Sequence, residues 1–215
     1  IVQMDYITGE LTKHLEKRGL KESTIIVFSS DNGPVLDDGY ADNSVELLGN
    51  HKPGGPFKGN KYSAYEAGTR VPTMIYWPGK ITPTVSDALL TQTDLYASFA
   101  ELIGHELSEQ EAPDSYAMWN TFIGKTKKGR EFLLEESVTL SLRYGNYKYI
   151  HPTKKKASWI KDQKNIESGT SIKPQLFDLT NDKEERENIA DKNKKLVQKF
   201  QSEIERIKNN EVSRK

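Results

Sequence analysis

Apolar residues recur at helical spacing at Met4, Ile7, Leu11 and Leu15, with Lys13, Glu16, Lys17 and Arg18 between and after them. This predicts a surface helix with one buried stripe, stopped by Gly19. The pattern then changes to TIIVFSS, where residues 24–28 are β-branched or aromatic without polar alternation, as in a strand buried on both faces of a parallel sheet. Residues 33–70 show no period and carry seven glycines and three prolines, and a loop of that length after a buried strand is usually functional or disordered. TMIYW predicts a second strand, closed by Pro78-Gly79. Thr93 or Asp94 can cap a helix with Leu95, Tyr96, Phe99, Leu102 and Ile103 on its apolar side and Gly104 at its end.

Residues 112–131 hold only scattered apolar positions and end in KTKKGR, which marks a linker or boundary. Two domains follow, residues 1–130 and 131–215. In the second, VTLSLRY and KYIHP form strands joined by a Gly145-Asn146 hairpin turn, and a polar loop containing Lys154 and Lys156 leads to a strand at residues 175–179. A helix over residues 191–209 keeps Leu196, Phe200, Ile204 and Ile207 on one face. It offers an apolar stripe to Leu176, Phe177 and Leu179, so the region from about residue 136 is expected to be a small antiparallel sheet covered by this helix.

Composition narrows the function classes. With 31 Lys+Arg against 31 Asp+Glu, there is no net charge to favour nucleic acid or acidic membrane. A mean hydropathy of −0.72 and the absence of any run of about 20 apolar residues argue against a membrane span. The absence of cysteine removes disulfides, thiolate metal sites and thiol nucleophiles, and leaves the redox compartment undetermined. The chain opens inside a helical pattern with neither a starter Met nor a signal peptide, so it is expected to be a fragment.

Two stretches could carry chemistry. Ser29-Ser30-Asp31-Asn32-Gly33 follows the first strand, where open α/β sheets collect ligands, and a carboxylate with an amide oxygen suits a hard cation. The same residues are also ordinary turn formers. The loop from His51 to Lys61 sets lysines among glycines, so that ammonium groups and backbone N–H groups can approach an oxyanion unobstructed. A solvated basic loop reads the same way. His14, His105 and His151 read as structural or solvated.

The order SSDNG, glycine-rich loop, KGNKYSAYEAGTRVP and IYWPGKI resembles the C-terminal half of the type I sulfatases, the arylsulfatase-like members of the alkaline phosphatase superfamily. DLYASFAELIG, APDSYAMWNTFIGK, RYGNYKYI and LFDLTNDKEERENIA continue the resemblance in order over nearly the whole chain. It implies an α/β fold: the C-terminal half of a sulfatase-type sheet flanked by helices, plus a small antiparallel sheet with a C-terminal helix. It also implies that Asp31 and Asn32, whose place at the strand end is expected to point both into one cavity, are calcium ligands, and that Lys61 is the catalytic, sulfate-binding lysine. Glu66, Gly68 and Arg70 match an architectural segment. Ala67 stands where many members have glycine, and Lys183 where many have proline.

The family's formylglycine, made from a C/S-x-P-S-R motif, has no counterpart here, nor do the upstream acidic ligands or the histidine that assists the leaving group. The resemblance therefore implies a sulfuric ester hydrolase acting on a sulfated small molecule or glycan, with calcium completed by a missing N-terminal part of the same protein and this chain inactive alone. Phosphoester or phosphonate hydrolysis, or non-catalytic binding of an anionic glycan, are the alternatives. His51, flanked by Gly49, Gly54 and Gly55, either reaches the sugar or is a solvated loop residue. The family suggests a periplasmic, secreted or lysosomal setting, which the chain itself leaves open.

Overall fold

The computed structural model describes residues 1–36, 40–155 and 167–214. Lys156 lies outside them. Helix α1 (Val2–Lys17) leads through a 3₁₀ turn (Lys21–Ser23) into strand β1 (Ile26–Ser29). A long loop and the single-turn helix α2 (Glu66–Thr69) return the chain to β2 (Thr73–Tyr76). Strands β1 and β2 pair antiparallel, with Val27 opposite Ile75. This corrects the parallel, doubly buried strand: β1 has β2 beside it and is half-buried along its whole length. The α1 stripe is likewise uncovered among the described residues, with Met4, Ile7 and Leu11 about half exposed.

Helix α3 (Asp94–Ile103) ends where expected, at Gly104 with φ 72°. Its buried face differs from the expected one. Asp94, Ala97, Ser98 and Ala100 point inward, while Tyr96 and Ile103 are exposed. Small residues let the following segment pack closely enough for the Ala97 N–H to donate to Ser115 Oγ at 2.8 Å and the Met118 N–H to Ser98 Oγ at 2.9 Å. Residues 112–131 are thus docked rather than a free linker. They include helix α4 (Trp119–Phe122) with Trp119 buried, and Arg130 enters the interior to bond the fully buried Asp94, its guanidinium stacked 4.3 Å from the Tyr116 ring centroid.

The second half is a four-stranded antiparallel meander of β3 (Phe132–Glu136), β4 (Leu140–Tyr144), β5 (Tyr147–Ile150) and β6 (Gln175–Asp178), followed by helix α5 (Lys194–Asn210). The Gly145-Asn146 turn joins β4 to β5 with Tyr144 opposite Tyr147. Strand β3 is an element that the sequence pattern did not reveal. Side chains alternate between the two faces of the sheet. One face carries Leu142, Tyr149 and Leu176 and packs on Val197, Phe200, Ile204 and Ile207 of α5. The other carries Arg143, Lys148, Ile150 and Phe177. This corrects the expectation that Phe177 and Leu179 meet the helix: only Leu176 of the three does, and Phe177 and Leu179 pack with Ile150 against Ala64 and Tyr65 of the long loop.

Candidate functional site

The strand-end turn and the lysine loop are held together by backbone. The Gly33 N–H donates to Gly68 O at 3.0 Å and the Lys61 N–H to Pro34 O at 2.9 Å. The approach is close enough that a Cβ on Gly33 would lie 1.9 Å from Ala67 O, and one on Gly68 2.1 Å from Ser63 O. Within the turn, Ser30 Oγ donates to Asn32 O at 3.1 Å and Asn32 Nδ2 to Gly33 O at 2.8 Å, while Gln92 Nε2 reaches in from the residues just before α3 to Ser29 Oγ at 2.8 Å. Asp31 is exposed and Asn32 half-buried.

Lys61 is half-buried, its ammonium 5.2 Å from the Tyr62 ring centroid. Tyr62 takes φ 75°, a left-handed conformation that is rare for a bulky residue, costs of order 1–3 kcal/mol and persists only where its surroundings enforce it. They do so at several points. Ser137 Oγ donates to Tyr62 O at 2.6 Å, Ser63 Oγ to Glu167 O at 2.6 Å, and the Ala64 N–H to Ser168 O at 2.9 Å. Lys58 is engaged differently, 4.2 Å over the Tyr65 ring and 3.6 Å from Glu167. His51 is exposed and tied by its backbone N–H to Leu48 O. The structure thus brings Asp31, Asn32 and the Lys61 segment into one neighbourhood and leaves His51 at the surface.

Beneath the lysine lies a buried charge cluster that sequence reasoning missed. Glu66, 2% exposed, accepts from Arg143 and from Arg70 Nη1 at 3.2 Å, and its Oε2 is 3.7 Å from Lys148 Nζ. Lys148 is fully buried and also pairs with Glu135, which accepts from Thr69 Oγ1 at 2.8 Å and Ser141 Oγ at 3.2 Å. Burial alone would raise the Glu66 carboxyl, but Lys148 and Arg143 outweigh it and hold the group below the ordinary carboxylate value. Glu185 stands on the far side, 2% exposed, and its Oε2 accepts the Glu66 backbone N–H at 2.9 Å. The available signal was the alternation Tyr147-Lys148-Tyr149, which assigns Lys148 to the second face of the sheet without saying that this face is covered.

Asp31 and Asn32 are hard oxygen donors and suit calcium in kind. Asn32 spends its amide nitrogen on Gly33 O and so keeps Oδ1 free to ligate. In number they fall short of the six to eight oxygens calcium takes, and no group of three His, Cys, Asp or Glu able to hold a metal occurs among the described residues.

A mixed α/β unit with a lysine loop fastened to a strand-end turn, and an antiparallel sheet beneath it, defines a class of enzyme domain to which solved structures correspond closely. A structure from Bacteroides thetaiotaomicron, described in connection with the metabolism of multiple glycosaminoglycans, superposes with a TM-score of 0.90 at 40% identity, covering 96% of this chain and 43% of that one. Residues 1–105 match the family model described as Sulfatase. An N-acetylgalactosamine-6-O-sulfatase from B. thetaiotaomicron is 41% identical over 212 residues, 97% of this chain and 41% of that protein. Human arylsulfatase A is 28% identical over 157 residues, 69% of this chain and 29% of that protein. The chain belongs to the sulfatase family and spans about two fifths of the length of the bacterial relative.

Proposed function

We propose that this chain supplies the calcium-side turn and the sulfate-contacting lysine of an enzyme that hydrolyses sulfate esters on a sulfated carbohydrate. The observation that carries the reading is the bond from the Lys61 N–H to Pro34 O, which ties the backbone of the lysine loop to the turn that carries Asp31 and Asn32. The 41% identity to a sulfatase that acts on N-acetylgalactosamine supports a sugar substrate. In this reading Asp31 and Asn32 hold part of the calcium shell, and Lys61 stabilises the charge on the oxygens of the transferring group. Calcium, when bound, supplies electrophilic stabilisation of the same oxygens. The remaining ligands, the formylglycine nucleophile and the acid for the leaving alcohol belong to sequence upstream of this chain, and the 215 residues alone do not turn over substrate. The uncovered apolar residues of α1 and of β2, where Met74 and Tyr76 are exposed, support a packing surface for that upstream part.

The test compares Lys61→Ala with Lys58→Ala in the protein carrying the complete catalytic set, on a panel of sulfated monosaccharides at fixed calcium. Loss of an ammonium that touches the transferring group lowers the rate about 100-fold or more. Loss of Lys58, already engaged by Tyr65 and Glu167, lowers it by about fivefold or less. Equal small losses would return the loop to a basic surface feature, and a larger loss from Lys58→Ala would put the wrong lysine at the sulfate. On the same panel, His51→Ala raises KM for one sugar sulfate and leaves a small aryl sulfate unaffected if His51 reads the sugar.

A further inference from the structure

Glu185 is 119 residues beyond Glu66 in the chain, yet it closes on the Glu66 amide at 2.9 Å. It does so from a left-handed backbone with φ 50°, a conformation disfavoured for a residue with a Cβ, and it carries its carboxyl into a space where it is 2% exposed. The Glu66 amide opens the single turn of α2, five residues after Lys61. Other hydrogen bonds to the main chain of this segment, from the Lys61 N–H to Pro34 O, from Ser137 Oγ to Tyr62 O, from the Ala64 N–H to Ser168 O and from the Ala67 N–H to Lys58 O, involve a hydroxyl or a main-chain carbonyl. Glu185 is the member of this set that holds the backbone with an ionisable side chain.

We propose that Glu185 is a positioning residue for Lys61: its carboxyl pins the Glu66 amide and, through the four residues 62–65 between them, fixes where the lysine backbone stands against the strand-end turn. This assignment rests on the reading of Lys61 as the sulfate contact.

The charged groups facing Glu185 are Glu66 from α2, Lys148 from β5 and Lys58 from the loop. Burial pushes its carboxyl up to about 8, and the Glu66 carboxylate adds to this against the opposing effects of the Glu66 N–H, Lys148 and Lys58. The group therefore holds its proton at pH 7, one oxygen still free to accept the amide. Because the folded value lies above that of the unfolded chain, the stability that neutral Glu185 gives the folded state is complete below the ordinary carboxylate value and is lost as pH rises through about 8, where burial of the charge makes opening of the cluster easier. Ionisation there sets a second carboxylate against Glu66 while Lys148 is already shared with Glu135.

Amide hydrogen exchange on this chain reads the clamp directly in wild type, E185Q and E185A. Gln keeps the oxygen acceptor and has no charge to gain. At pH 7 the Glu66 amide in E185Q is protected as in wild type, and in E185A its protection falls about tenfold, while the β4–β5 ladder keeps its own. At pH 9 wild type loses protection at Glu66 relative to E185Q. Equal protection in all three proteins, or E185Q as open as E185A, overturns the proposal. Should E185A unfold altogether, the pH 9 comparison decides, and no difference between wild type and E185Q overturns it.

In the protein with the complete catalytic set, E185A lowers kcat/KM for a sugar sulfate about tenfold, E185Q restores it, and E185A added to K61A lowers the rate no further. An undamaged K61A refutes the Lys61 reading, and the positioning role with it, while leaving the exchange result intact. A damaged K61A on which E185A still costs its full tenfold overturns the positioning role alone.

Discussion

Replacing Lys148 with methionine removes the charge that joins the sheet to the lysine loop while keeping most of the side chain's length. Lys148 is fully buried, pairs with Glu135 and lies 3.7 Å from Glu66 Oε2. At that separation and an effective dielectric constant of about 20, its attraction to Glu66 alone is about 4 kcal/mol. Removing one partner of a buried pair costs about 3–5 kcal/mol, because the other charge is left uncompensated. Two features pull the value towards the lower end. Glu66 keeps Arg143 and Arg70, and Glu135 keeps hydroxyl donors from Thr69 and Ser141. The expected loss is therefore about 3 kcal/mol in urea denaturation at pH 7, with the slope of the transition unchanged. The double variant Lys148→Met/Glu135→Gln, which removes the stranded carboxylate, recovers at least about 1 kcal/mol. A single-variant loss below about 1 kcal/mol, or a double variant no more stable than the single, would refute the picture of a dry, mutually dependent cluster.

Phe200→Ala empties the centre of the α5 interface, where the ring stacks on Tyr149 at 5.5 Å and meets Tyr144 edge-on at 6.0 Å; a loss of about 3–5 kcal/mol is expected by thermal or urea unfolding, and one under about 1 kcal/mol would mean that α5 is not docked as described. Calorimetry on this chain alone should show calcium binding no tighter than roughly millimolar, since Asp31 and Asn32 supply two donors where stronger sites supply six or more. Micromolar binding would reveal a shell that these residues do not account for.

The legible parts of the fold were those fixed by local period and turn chemistry. Leu196, Phe200, Ile204 and Ile207 located α5 to within a few residues, Gly145-Asn146 placed the β4–β5 turn, and Gly104 ended α3. Strand β3 escaped because Phe132-Leu133-Leu134 shows no alternation and follows a basic run that suggests a linker. The direction of β1 escaped because a run of apolar residues records how a strand is buried and not which way its neighbour runs. At the site, Asp31, Asn32 and Lys61 stood out through their motifs, whereas Arg143, Lys148 and Glu185 looked like ordinary surface charges. What makes them otherwise is a second covered face of the sheet, and only the tertiary fold shows that cover.

The bonds that hold the lysine loop reach forward in the chain by 75 residues to Ser137, 104 to Glu167 and 119 to Glu185. During synthesis, then, Lys61 is made well before the residues that fasten it. At roughly 5–20 residues per second, the span from Glu66 to Glu185 takes roughly 6–24 s to add. Over that interval the lysine loop exists without the Glu185 carboxyl that accepts the Glu66 amide in the folded chain. Premature termination between Lys61 and Ser137 leaves Asp31, Asn32 and Lys61 in the polypeptide without any of the three residues that fasten the loop.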